Sequence, residues 1–158
     1  VTREPLTVSD AVRALNPGVF QPKPVDGVVR LTIYTEPTPK GRPRITVVNG
    51  HGRAYTPAAT RNAEAMIRYA VTEQCRTPPF AAGVPLKLTV WFYRTRPPSL
   101  PKRVTMPVAK PDLDNYIKCL DALNGCLVVD DNAICDIEAH KRFGSPPRIE
   151  MELAQVDA

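Results

Sequence analysis

Lys110-Pro111-Asp112-Leu113-Asp114-Asn115, then Lys118, then Asp121-Ala122-Leu123-Asn124-Gly125 and Val129-Asp130-Asp131-Asn132, decides how this chain is organised. Asp114 is a good N-cap, residues 115–123 hold neither Gly nor Pro, and Asn124-Gly125 supplies a stop, so the stretch predicts one short helix between two acid pairs. At about 100° per residue, Asp114, Lys118 and Asp121 share one side while Tyr116, Cys119, Leu120 and Leu123 share the other. Asp112 lies two residues before the cap, so an extended entry points it the same way as Asp114. Asp130-Asp131 follows the apolar run 126–129 and precedes the alternating stretch 134–141, which puts it at a strand end or turn.

Outward from this block, strands follow from period-two alternation. Val29, Leu31 and Ile33 mark one, and Leu86, Leu88, Val90 and Phe92 a second. Cys135, Ile137 and Ala139 mark a third, and Ile149, Met151 and Leu153 a fourth. Residues 45–48 predict a short strand in a hairpin turned by Asn49-Gly50-His51-Gly52. A first helix is expected from Thr56-Pro57 to about Cys75, with Ala59, Ala63, Met66, Ile67 and Ala70 inward and Arg61, Glu64 and Arg68 outward. The order predicts an α/β (α+β) fold, a small mixed β-sheet flanked by helices.

Three acids meeting at one point would suit magnesium, which takes hard oxygen ligands and keeps positions for water and substrate phosphate. Asp112, Asp114 and Asp131 are the candidate ligands, with Asp130 as the alternate to Asp131. The plainer readings are a solvated Asp114–Lys118–Asp121 ladder worth a few tenths of a kcal/mol, and an ordinary Asp/Asn turn at 130–132.

Charge layout favours the metal reading. The 158 residues carry a formal net charge of +5, which conceals two halves. Residues 37–110 hold thirteen Lys and Arg against Glu64 and Glu73, a balance of +11, whereas residues 111–158 stand at −6. A basic surface attracts a polyanion, and an acidic cluster beside it would repel that polyanion unless cations filled it. The candidate phosphate contacts are Lys40, Arg42 and Arg44, which alternate in an extended segment, and Arg94, Arg96, Lys102, Arg103 and Lys110 in a proline-rich loop.

The length fits one domain, placed at residues 26–158, behind an N-terminal extension of residues 1–25 with a short helix (Thr7 to Leu15) and a Gln21-Pro22-Lys23-Pro24 linker. No apolar run approaches membrane-spanning length and no signal-peptide pattern opens the chain, so a soluble cytoplasmic protein is expected. Cys75, Cys119, Cys126 and Cys135 lack zinc or redox spacing and read as buried thiols, and His51 and His140 stand alone, which argues against nucleophilic catalysis by a side chain.

The central block, together with Lys40-Gly41-Arg42-Pro43-Arg44 and Tyr55-Thr56-Pro57, resembles the RusA family of Holliday junction resolvases over about residues 28–155. The resemblance implies a homodimeric endonuclease that cuts four-way DNA junctions symmetrically with magnesium or manganese. It implies that Asp112, Asp114 and Asp131 carry the metal and that Lys118 assists catalysis. Phage and prophage genomes are the family's usual home. Two rival readings are a different metal-dependent nuclease, such as a ribonuclease H-like resolvase, and a noncatalytic structure-specific DNA-binding protein.

Overall fold

The structure, a computed structural model, describes residues 27–156. The proposed N-terminal helix and linker lie outside the described residues. Strands β1 (Val28–Ile33), β4 (Leu86–Arg94), β5 (Ile134–Phe143) and β6 (Arg148–Gln155) form one sheet in the order β1-β6-β4-β5. The β1/β6 and β6/β4 pairs are antiparallel and β4/β5 is parallel, so the sheet is mixed as expected. A parallel pair needs a crossover. Here it is the proline-rich loop, helix α2 (Leu113–Ile117) and the 3₁₀ segment Lys118–Leu123.

Alternation puts one sheet face into the core. Val29, Leu31, Ile33, Leu86, Leu88, Val90, Phe92, Ile149, Met151 and Leu153 are all buried under helix α1 (Ala58–Gln74) and the α2 region. Phe92 stacks on Tyr116 of α2, which ties the crossover to the sheet. The opposite face carries the paired polar groups, among them Arg30–Glu152 and Lys87–Glu138, with Trp91 stacked on His140. No helix among the described residues is long and apolar enough to cross a membrane.

Three details depart from expectation. First, α1 buries Thr60, Ile67, Ala70, Val71 and Gln74, while Ala59 and Met66 are exposed. Hydrogen bonding sets this rotation. The Thr60 hydroxyl accepts the Gly41 N–H at 2.8 Å, and the Gln74 amide donates to the Thr32 carbonyl at 2.9 Å, so two polar residues face inward where each has a partner. Second, the helix after the acid pair starts two residues early, with Asp112 at the N-cap and Asp114 in the first turn, and tightens to 3₁₀ from Lys118. Third, Cys75, Cys119 and Cys126 are buried but Cys135 is exposed. It falls at the register shift where β4 pairs Leu86 with Ile134 and Lys87 with Asp136, so the alternation that would bury it is interrupted, and β5 is the sheet edge.

Strands β2 (Arg44–Val48) and β3 (His51–Tyr55) form a separate two-stranded sheet. Asn49 and Gly50 both take positive φ, 51° and 77°, the pattern of a two-residue hairpin turn.

Candidate metal-dependent nucleic-acid site

Asp112 leads into α2 in extended conformation, and its carboxylate makes no side-chain capping bond. The segment before it is held from behind. Arg94 donates to the Lys110 carbonyl at 2.9 Å, and Lys141 donates to the Ala109 and Pro111 carbonyls at 3.1 and 2.9 Å. Lys141 is thus a positioning residue that sequence reading missed. Its only signal was a cation on the apolar face of β5, in register with Phe92, where a charge needs a partner.

Asp114 and Lys118 form the expected i,i+4 pair, Nζ to Oδ2 at 2.8 Å, with the Asn115 side-chain oxygen at 3.4 Å from the ammonium. The Lys118 hydrogen bond holds the Asp114 carboxyl below the usual carboxylate value. Asp121 does not join this ladder. It accepts from Lys40 Nζ at 2.8 Å, and Glu64 of α1 lies 3.1 Å from the same ammonium. Lys40 also donates its backbone N–H to the Asn115 carbonyl, and Gly41 packs so closely on α1 that a Cβ there would stand 3.1 Å from the Thr60 hydroxyl. The Lys40-Gly41 pair therefore docks its segment on the two helices. The Asp121 hydrogen bond raises the Lys40 pKa above its ordinary value.

The second acid pair divides its work. Asp130 accepts the Asn132 N–H at 3.1 Å and caps the 3₁₀ turn Asp131–Ala133, whereas the exposed Asp131 carboxylate has no hydrogen-bond or ion-pair partner among the described residues. Asp131 is thus the member of the pair left available. Asp131 leads into β5 at its N-terminal end, and Lys141 fixes the Asp112 segment near the C-terminal end of that strand. The expectation that the acids meet within one chain is not met. Among the described residues, no three His, Cys, Asp or Glu side chains form a group able to hold a metal. The chemistry of the donors still fits magnesium, since Asp112 and Asp131 are exposed hard oxygens without a partner among the described residues.

The predicted phosphate contacts also divide. Arg96 is turned inward onto its own loop, donating to the Val104, Leu100 and Pro101 carbonyls, with its guanidinium 5.4 Å from the centre of the Phe143 ring. Arg94 and Lys40 are engaged as described. Arg42, Arg44, Lys102, Arg103 and Lys110 are exposed. Arg53 on β3 joins them and was not singled out from sequence; its pairing with Thr46 beside Arg44 became visible only with the hairpin register. The Cys119 thiol beside this segment is not poised for nucleophilic attack: burial pushes its pKa up to about 11.

A two-layer α/β domain with a cation-rich half and carboxylates flanking a short helix defines a nucleic-acid-processing class. Residues 35–154 match the endodeoxyribonuclease RusA family, and the chain belongs to it. Over 141 aligned residues the chain is 31% identical to the uncharacterized protein YqaN of Bacillus subtilis (strain 168), covering 82% of this chain and 98% of that protein.

Proposed function

We propose that this endodeoxyribonuclease binds four-way DNA junctions and resolves them by paired, symmetric phosphodiester cleavage as a homodimer that requires magnesium or manganese. The observation that supports the reading is that Asp112 and Asp131, on either side of the short helix, are exposed carboxylates without a partner among the described residues, as Asp136 on β5 also is, whereas Asp114, Asp121 and Asp130 are engaged. Asp112, Asp114 and Asp131 would hold the metal, which when bound supplies a polarised phosphate and an activated water. Lys118 stands beside Asp114 to offset negative charge that grows on the phosphoryl oxygens. Arg94 and Lys141 fix the backbone that aims Asp112. The exposed Arg42, Arg44, Lys102, Arg103 and Lys110 attract the arms of the junction.

A two-fold dimer would let acids of two chains share a site, since no three of the described carboxylates of one chain form a group able to hold a metal. β5 is an edge strand, and residues 135–138 are exposed on both of its faces. Antiparallel apposition of two such edges would bring the Asp112 end of one chain beside the Asp131 end of its partner.

The test is complementation on synthetic four-way junctions. Asp112→Asn and Asp131→Asn should each be inactive alone. A mixed dimer of the two holds one site with both substitutions and one with neither, so mixing should restore nicking of one strand without paired resolution. Activity of either variant alone would overturn the ligand assignment, and failure to complement would overturn the shared site.

A further inference from the structure

The hairpin is the most exposed element of the fold. Every residue of β2 and β3 is exposed, and these strands share no sheet bonds with the four-stranded sheet. Its register, Arg44 opposite Tyr55, Ile45 opposite Ala54, Thr46 opposite Arg53, Val47 opposite Gly52 and Val48 opposite His51, sorts the side chains into two faces. One face carries Arg44, Arg53, Tyr55 and His51 together with Thr46 and Val48. The other carries Ile45 and Val47, 78% and 71% exposed, over the small residues Ala54 and Gly52.

Neither face is matched by the rest of the described chain. No acid occurs between residues 41 and 57, and Arg44 and Arg53 make no ion pair among the described residues. An isolated two-stranded hairpin is marginal in water, so the ribbon is suited to become ordered against a second surface. The charge complementarity of its basic face selects a polyanion, and a two-stranded ribbon has the width that a DNA major groove admits. The aliphatic face selects further. Apolar side chains also act as wedges on base faces where stacking is broken, and a branch point offers open base-pair faces that a continuous duplex does not.

We infer that the β2–β3 hairpin makes this protein prefer branched over linear DNA: Arg44, Arg53 and Tyr55 lie along the backbone of an arm, and Ile45 and Val47 rest on the open base pairs at the branch point. The inference builds on the junction reading above. Arg44 was already a candidate phosphate contact; the division of labour between the two faces and the roles of Arg53, Tyr55, Ile45 and Val47 are new.

The experiment compares affinity for a four-way junction and for a linear duplex of the same sequence, with 2-aminopurine at the branch point reporting unstacking. Ile45→Thr/Val47→Thr keeps β-branched side chains in the strand while removing apolar surface. It should lower the junction-to-duplex affinity ratio about tenfold and abolish the 2-aminopurine rise. Arg44→Gln/Arg53→Gln should weaken both substrates together and reduce the salt slope by about two. A ratio kept within about twofold in the Thr variant would overturn the inference. So would sedimentation showing that this variant falls apart into smaller species than wild type, because the aliphatic face would then join two copies. Wild-type protein with no junction preference would instead strike the proposed function itself.

Discussion

The β2–β3 hairpin and the loop from Thr95 to Lys110 are both cation-bearing and free of acids, and both expose cations, yet Arg96 of the loop is used in the opposite way to Arg44 and Arg53 of the hairpin. In the loop, Arg96 turns inward onto three carbonyls of its own segment, and Arg94, at its root, reaches across to Lys110. Guanidinium groups there replace the backbone hydrogen bonds that a proline-rich segment cannot make for itself. In the hairpin, the strands satisfy their own backbone, so Arg44 and Arg53 are left to face solvent. A cation count therefore measures charge present, and local backbone chemistry decides how much of it is available to a ligand. The acids divide by the same logic, with Asp121 and Asp130 engaged while Asp112 and Asp131 have no side-chain partner among the described residues.

The sharpest way to break this distinction is to truncate the two neighbouring acids separately. Asp131→Ala should lower single-turnover cleavage by several orders of magnitude. Asp130→Ala should leave cleavage largely intact and cost about 1 kcal/mol of stability from the lost cap, measured by denaturant melts. Equal losses of cleavage in both would show that engagement does not separate their roles.

Lys118 belongs to both categories, engaged with Asp114 and proposed to act on phosphate. Lys118→Ala should slow single-turnover cleavage by roughly 10²-fold with junction affinity nearly unchanged, since a group that acts on developing charge lowers the chemical step and not binding. A change in melting temperature alone would reduce it to a surface ion pair.

The loop and the hairpin can be compared directly by salt titration of DNA binding. Arg44→Gln/Arg53→Gln should lose about two units of slope, whereas Arg96→Gln should leave the slope unchanged and instead open the loop to proteolysis between residues 97 and 110. A matching loss of slope with Arg96→Gln would mean that its guanidinium leaves the loop carbonyls for phosphate.

The smallest effect concerns Lys40. Its pKa is raised by Asp121 and Glu64, so its contribution to stability is fully present below the unfolded lysine value and is lost as pH rises through the raised folded value. Lys40→Met should therefore destabilise by no more than about 1 kcal/mol at neutral pH, with the difference from wild type shrinking above the ordinary lysine pKa of 10.5. Melting curves across that range check it, and the salt slope of DNA binding should not move.

The sequence by itself determined the strands, a hairpin turning within residues 49–52, which the structure narrows to Asn49-Gly50, the core-facing stripe of Tyr116, Cys119, Leu120 and Leu123, and the acid-bearing block on which the family resemblance rested. These are local signals, carried by side-chain periodicity and turn chemistry within a few residues. Tertiary structure alone decided that Thr60 and Gln74 face inward, that Cys135 is exposed, that Lys40 and Arg96 are engaged, and that Lys141 reaches back to the chain before Asp112. Each of those depends on a partner or a missing neighbour distant in the chain or across the fold. A polar side chain's role is set by the donor or acceptor that meets it, and no periodicity within one segment encodes which one that is.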